Sequence, residues 1–221
     1  SESMAEAYFK NRAWRPWLVP ETSTELLLDH TAAHLALRRA MRSIADPSPP
    51  VDLIVCTGQT LSSAPRLVQA ALCGINGYMP GGYGQLAVDR PGVLAMCGTL
   101  IVDGSDVSAE PYLVHVGTSL SCGGTAKFGS DALGVEVTPH DREPIRRSVA
   151  FGAMERITWD ASIAADVRSW PGGKLDAGGG RGRATALRNE ITPGVGGLII
   201  DARGRPLERP ADDSLRRAAL L

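Results

Sequence analysis

Between residues 21 and 45, apolar and small positions alternate with polar ones at helical spacing. Leu26, Leu27, His30, Ala33, His34, Leu37, Ala40, Met41 and Ile44 form one stripe, which predicts an amphipathic helix over 21–45. Thr22 or Ser23 is placed to cap its start, with Glu25 in the first turn. The run Asp46-Pro47-Ser48-Pro49-Pro50 stops it, because proline has no amide to donate and its ring clashes with the preceding turn. Residues 51–56 are short, apolar and rich in β-branched side chains, which reads as a buried parallel strand ending in the polar turn Thr57-Gly58-Gln59-Thr60. A second helix is predicted over 65–73, with Pro65 near its first turn, then a glycine-rich connection over 74–84. A strand over 85–89 and a short helix over 91–100 complete an α/β pattern.

Helical periodicity ends at a polar linker, 104–110. Beyond it, 112–116, 133–138, 146–150, 154–159 and 163–167 are short strand-like segments separated by Gly, Pro, Asp or His, a spacing that suggests a small barrel or sandwich. The glycine-rich stretch 171–182 reads as loop. A further strand is expected over 195–201, turning at Arg203-Gly204-Arg205-Pro206, and a final short helix over 213–221. The chain thus divides into an N-terminal extension (1–20), an α/β subdomain (21–107) and a β-rich C-terminal domain (108–221).

Composition narrows the function classes. Lys and Arg number 23 against 24 Asp and Glu, so the basic surplus expected of a nucleic-acid binder is missing. No apolar run reaches the length of a membrane span, and no basic segment followed by an apolar one marks a secretory leader. Ser1-Glu2-Ser3-Met4 does not read as a natural initiation. Cys56, Cys73, Cys97 and Cys122 are dispersed, without the clustering of a zinc site or disulfide framework, which predicts buried free thiols in a reducing cytoplasm and no metal centre.

Five groupings could carry chemistry. The turn Thr57-Gly58-Gln59-Thr60 joins a strand to a helix, where backbone amides can meet a nucleotide or anion. His30 and His34 share a helical face at i and i+4, a geometry that can chelate a metal, but neither HExxH nor a third ligand accompanies them. His115 precedes Ser119, Ser121 and Cys122, yet no nucleophile elbow surrounds either serine, which favours structural roles. Cys56 and Cys122, beside glycine-rich turns, leave a small-molecule enzyme with a cysteine nucleophile as an alternative. The segment Asp176-Ala177-Gly178-Gly179-Gly180-Arg181-Gly182 superficially suggests a phosphate loop, but Lys174 lies before the glycines, and the spacing is not GxGxxG.

In order, these motifs resemble the MutL-type (GlmL-like) accessory proteins found with cobalamin-dependent glutamate mutase, which are unrelated to the mismatch-repair protein of the same name. The resemblance rests on 52–61 with Ser63-Ala64-Pro65, on Gln85-Leu86-Ala87-Val88-Asp89-Arg90, and on Val116-Gly117-Thr118. Its most specific part is 175–182 together with 194–207. It implies a partial actin/Hsp70-like (ribonuclease H-like) subdomain, the second half of such an ATPase fold, followed by the family's own β-rich extension. Thr57 and Gly58, with Gln59 and Thr60, would then lie near the adenosine of a bound nucleotide. Asp176, Gly178, Gly179, Gly180, Arg203 and Arg205 would form a ligand or partner loop. Gln59 stands where the family usually has a second glycine. The family's N-terminal phosphate loop and its glycine-threonine-aspartate phosphate motif have no counterpart. The resemblance therefore implies an incomplete site for ATP with Mg, no cobalamin site, no catalytic residue that can be named, and an accessory, chaperone-type role. Its expected partners are a cobalamin-dependent mutase or a separate N-terminal ATPase half.

Overall fold

The computed structural model describes residues 2–43, 50–205 and 207. The predicted helix stop at 46–49 and the helix at 213–221 lie outside the described residues. The fold is mixed α/β, with two sheets and helices against one of them.

Helix α1 (Glu2–Trp14) precedes α2 (Ser23–Met41), and a buried ion pair joins them: Arg12 reaches Asp29 at 2.8 Å, and the Tyr8 hydroxyl donates to the same carboxylate. Thr22 caps α2 as expected. Its hydroxyl accepts from the Glu25 amide, and the Glu25 carboxylate accepts from the Thr22 amide, a complete capping box.

Strand β1 (Leu53–Cys56) leads through the short helix α3 (Gln59–Ser62) and α4 (Leu67–Tyr78) to β2 (Gly82–Asp89), which pairs with β1 in parallel. The strand is parallel as expected but not buried: β1 is an edge strand, and Leu53 is 45% exposed. The glycine-rich connection predicted over 74–84 is also replaced, because α4 runs on through Gly74 and Gly77. Both glycines serve close packing. A Cβ on Gly74 would lie 2.8 Å from Cys56 Sγ, and one on Gly77 would meet Leu37 of α2. The helix ends at Met79, which adopts a left-handed conformation (φ 58°).

Helix α5 (Leu94–Val102) follows β2. After the 104–110 segment come β3 (Leu113–Ser121), β4 (Asp131–Pro139), β5 (Ile145–Ala150), β6 (Met154–Ile157), β7 (Ala165–Pro171), β8 (Thr185–Ile191) and β9 (Gly197–Asp201). One sheet has the order β1-β2-β3-β9-β6, and the other, antiparallel throughout, has β5-β4-β7-β8. The division expected at residue 107 falls inside the first sheet, where β2 pairs with β3 from Gly82↔Ser121 to Asp89↔Leu113.

The two sheets face one another as a sandwich. Leu133, Val135 and Val137 of β4 and Val167 of β7 meet Leu120, Leu198 and Ile200. On its other face the five-stranded sheet packs against the helices through Leu86, Val88, Val116 and Ile199, with Ala70, Ala71 and Ile75 of α4. Val116 and Leu120 lie four positions apart, which regular alternation would put on one face, yet they enter opposite cores. A bulge opposite Leu86 and Ala87 shifts the alternation of β3 by one residue and explains this.

Candidate functional site

The parallel pair β1 and β2 ends with Cys56 opposite Val88, so Thr57 and Asp89 emerge side by side. The Thr57 hydroxyl donates to Asp89 Oδ2 at 2.9 Å. The same carboxylate accepts the amides of Val93 (2.9 Å) and Leu94 (3.0 Å) at the start of α5, and the Asp89 carbonyl accepts from Ser62 Oγ. Burial by itself would raise this carboxyl. The Leu94, Val93, Thr57 and Gly92 donors outweigh it and hold the group below the usual carboxylate range. Asp89 thereby ties the turn after β1, the end of α3 and the start of α5 into one unit.

Gly58 sits in this turn at φ 90°, ψ 154°, a conformation essentially reserved for glycine, and nothing lies within 4 Å of where its Cβ would be. Gly58 and Gln59 are exposed and Thr60 half-buried. The turn therefore presents open backbone to solvent beyond the carboxyl ends of two adjacent parallel strands. It supplies little charge, since Arg90 donates to the Ala64 carbonyl and Thr57 is committed to Asp89.

Of the second candidate group, Asp176 turns back on its own loop. Its Oδ1 accepts the amides of Gly178 (2.8 Å) and Gly180 (2.9 Å), so the concave run of amides is filled by the chain's own carboxylate. Gly178 packs its backbone onto Gly82, where a Cβ on Gly82 would lie 3.0 Å from Gly178 Cα. Gly179 is half-buried. Arg203 and Arg205 point elsewhere. Both bind Asp201 Oδ2 at 2.7 Å; Arg203 also donates to Asn76 Oδ1, and the buried Arg205 to the Pro80 carbonyl and Ser121 Oγ. Burial opposes ionisation of Asp201, but the two guanidiniums prevail and bring its carboxyl down to about 2. The pair thus bolts β9 to β3 and α4, and the structure does not bring it together with the Thr57–Thr60 turn by any hydrogen bond among the described residues.

The remaining candidates serve packing. His30 and His34 lie on one face of α2, with both Nε2 atoms buried and unpartnered among the described residues. Burial lowers the basicity of both rings, helped at His34 by Arg38 and Arg203. His115 Nε2 lies 3.0 Å from the Thr192 carbonyl, and among the described residues no hydrogen bond joins it to a serine or thiol. Cys56 and Cys122 are buried, and burial pushes their thiols up to about 11 and about 12, which suppresses the reactive thiolate.

Two features escaped the sequence reading. Asp89 was visible only as the last residue of a strand, although an acidic residue before Pro91-Gly92 and a helix start is a recognisable capping signal. The other is the exposed apolar surface of α5, a helix that was itself expected over 91–100. It carries no charged residue, buries only Cys97, and leaves Met96 (59%), Ile101 (54%) and Val102 (90%) in solvent. No family model, curated protein or solved structure matches this chain.

Proposed function

We propose that the chain is an accessory module of the kind that serves cobalamin-dependent glutamate mutase, holding part of a nucleotide cleft and a surface for a protein partner. One observation carries the cleft: Gly58 exposes strain-free backbone beyond two parallel strands, while Asp89 pins its neighbour Thr57. Open α/β sheets bind ligands at that end of their strands. The turn fits a base and ribose, for which space and backbone suffice. It does not fit the β- and γ-phosphates with their Mg, because the charged groups beside it are engaged. Hydrolysis therefore belongs to an assembly with a separate N-terminal ATPase half. The actin/Hsp70-like subdomain is part of the same proposal, supported by the β1–α3–α4–β2 unit. The uncharged, outward-facing α5 supports the partner surface, since apolar patches of this kind commonly mark interfaces.

Calorimetric titration with Mg-ATP and ADP tests the cleft. Saturable binding that Gln59→Trp removes, with the melting temperature unchanged, is expected; absence of binding to either nucleotide overturns the cleft. Titration of the purified mutase subunits with the chain and with Ile101→Glu tests the partner surface, and equal affinity for both overturns the role of α5. ATP turnover that appears only on mixing with an N-terminal half supports the split arrangement.

A further inference from the structure

A second cleft lies on the sandwich, away from the Thr57–Thr60 turn. The loop leading into β4 and the loop leaving β7 converge because those strands are antiparallel neighbours, with Leu133 opposite Pro171. They border an open cleft of about 370 Å³, within the size range of small-molecule sites, lined by Thr125, Lys127, Asp131, Gly172, Gly173 and Lys174 among others.

Its frame is fixed by backbone bonds. Gly172 donates to the Ala132 carbonyl (2.7 Å), Leu175 to Gly172 (2.8 Å), and Gly182 to Leu175 (2.8 Å). Ser130 holds the Lys127 carbonyl with both its amide and its hydroxyl. Two lysine side chains and two amides on this frame are left unused among the described residues. Neither Lys127 nor Lys174 forms an ion pair among the described residues, and both are exposed. The amides of Gly173 and Lys174 likewise have no acceptor among the described residues. The chain has only three lysines, so two of them share this one cleft. Gly182 packs on Gly173, where its Cβ would lie 3.2 Å from Gly173 Cα, which fixes the 172–174 segment from behind. Asp131 is the one acidic side chain on the lining, and it accepts a long bond from Ser148 Oγ.

We propose that this cleft binds a small phosphate-bearing molecule. Lysine ammoniums act as point charges toward phosphate, and backbone amides beside glycine allow its oxygens to approach closely. The cavity exceeds what a lone phosphate fills, so an organic remainder is accommodated. The site is independent of the nucleotide reading of the Thr57–Thr60 turn.

The test is calorimetric titration of the full chain with pyrophosphate, and separately with citrate as a polyanion lacking phosphate, at low salt. Pyrophosphate is expected to bind saturably with a dissociation constant below about 1 mM and at least about tenfold more tightly than citrate. The double variant Lys127→Gln/Lys174→Gln should weaken it tenfold or more, while Lys10→Gln on α1 and Gln59→Trp in the turn leave it unchanged. Both lysines being exposed, the double variant should melt at the wild-type temperature. Lack of saturation, equal affinity for citrate, or undiminished binding by the folded double variant would each overturn the proposal. Loss of pyrophosphate binding with ATP binding retained, or the reverse, separates this site from the turn.

Discussion

Gly77 of α4 lies so close to Leu37 of α2 that a Cβ on Gly77 would sit 2.5 Å from the Leu37 Cβ. The other atom belongs to the root of a side chain, so rotamer change cannot relieve the contact and the helices must separate. Alanine gains about 1 kcal/mol in helix propensity over glycine, whereas overpacking costs about 1–3 kcal/mol. Gly77→Ala is therefore expected to lower stability, by up to roughly 2 kcal/mol, in urea denaturation. Gly98 of α5 provides the opposite case, because nothing lies within 4 Å of its added Cβ. Gly98→Ala should raise stability by up to about 1 kcal/mol. A stable Gly77→Ala protein would mean that α2 is not held against α4 in this way.

Asp201 faces Arg203 and Arg205 with no solvent exposure of its own. Asp201→Asn leaves two guanidiniums without their counter-charge, and a loss of about 3–5 kcal/mol is expected. The pH dependence has a definite sign. The folded carboxyl ionises at about 2 against 3.8 for the free group, so its contribution is present in full above the free value. It is lost as pH falls through about 2. It amounts to roughly 2 kcal/mol at neutral pH, since each tenfold change in proton affinity corresponds to about 1.4 kcal/mol. Denaturation midpoints measured from pH 5 to pH 2 should fall for the wild type, and Asp201→Asn should lack this component.

Patterns confined to one element were readable in the sequence. The helix α2, its Thr22–Glu25 cap and the strand β4 depend on neighbours a few residues apart, and each has its structural counterpart, although Leu27 of the expected stripe is 66% exposed and the buried residue of α2 is Asp29. Glycine misled the reading at 74–84, because Gly74 and Gly77 are selected by Cys56 and Leu37, partners distant in sequence. Long-range pairing also carried β3 beyond the strand expected over 112–116, so that Thr118, Ser119 and Ser121 pair with β9. At the candidate site the turn was legible as a strand-to-helix junction. Its anchor Asp89 was not, since the Thr57–Asp89 bond spans 32 residues.

His30 and His34 should make stability fall in mild acid. Burial lowers both rings below the ordinary 6.5, so the folded chain keeps them neutral while the unfolded chain takes up protons. Stability is then full above pH 6.5 and declines below it, down to the folded values. Neither Nε2 has a partner to lose among the described residues, so His30→Leu/His34→Leu should fold and flatten the profile between pH 7.5 and 5.5. Urea midpoints at those two values decide the matter. An unchanged slope in the double variant would assign the decline to other groups.

Asp89 tests whether the turn after β1 is positioned from a distance. Asp89→Ala removes the acceptor shared by the Thr57 hydroxyl and the Val93 and Leu94 amides. Hydrogen bonds to a charged acceptor contribute about 1.5–3 kcal/mol each, but solvent can reach the freed amides once α5 frays, so a net loss of about 2–4 kcal/mol is expected. Asp89→Asn keeps one carbonyl oxygen and should cost about half as much. The carboxyl is held low in the fold, so its contribution is present above the ordinary 3.8 and disappears as pH drops through the lower folded value. Amide hydrogen exchange reports the local consequence. In Asp89→Ala, exchange should accelerate at Leu61 and Ser62, whose amides donate to the Gly58 carbonyl, and at Cys97, which donates to Val93. Acceleration only in α5 would leave Thr57 and the turn standing on their own, and the nucleotide affinity of the variant should then equal that of the wild type.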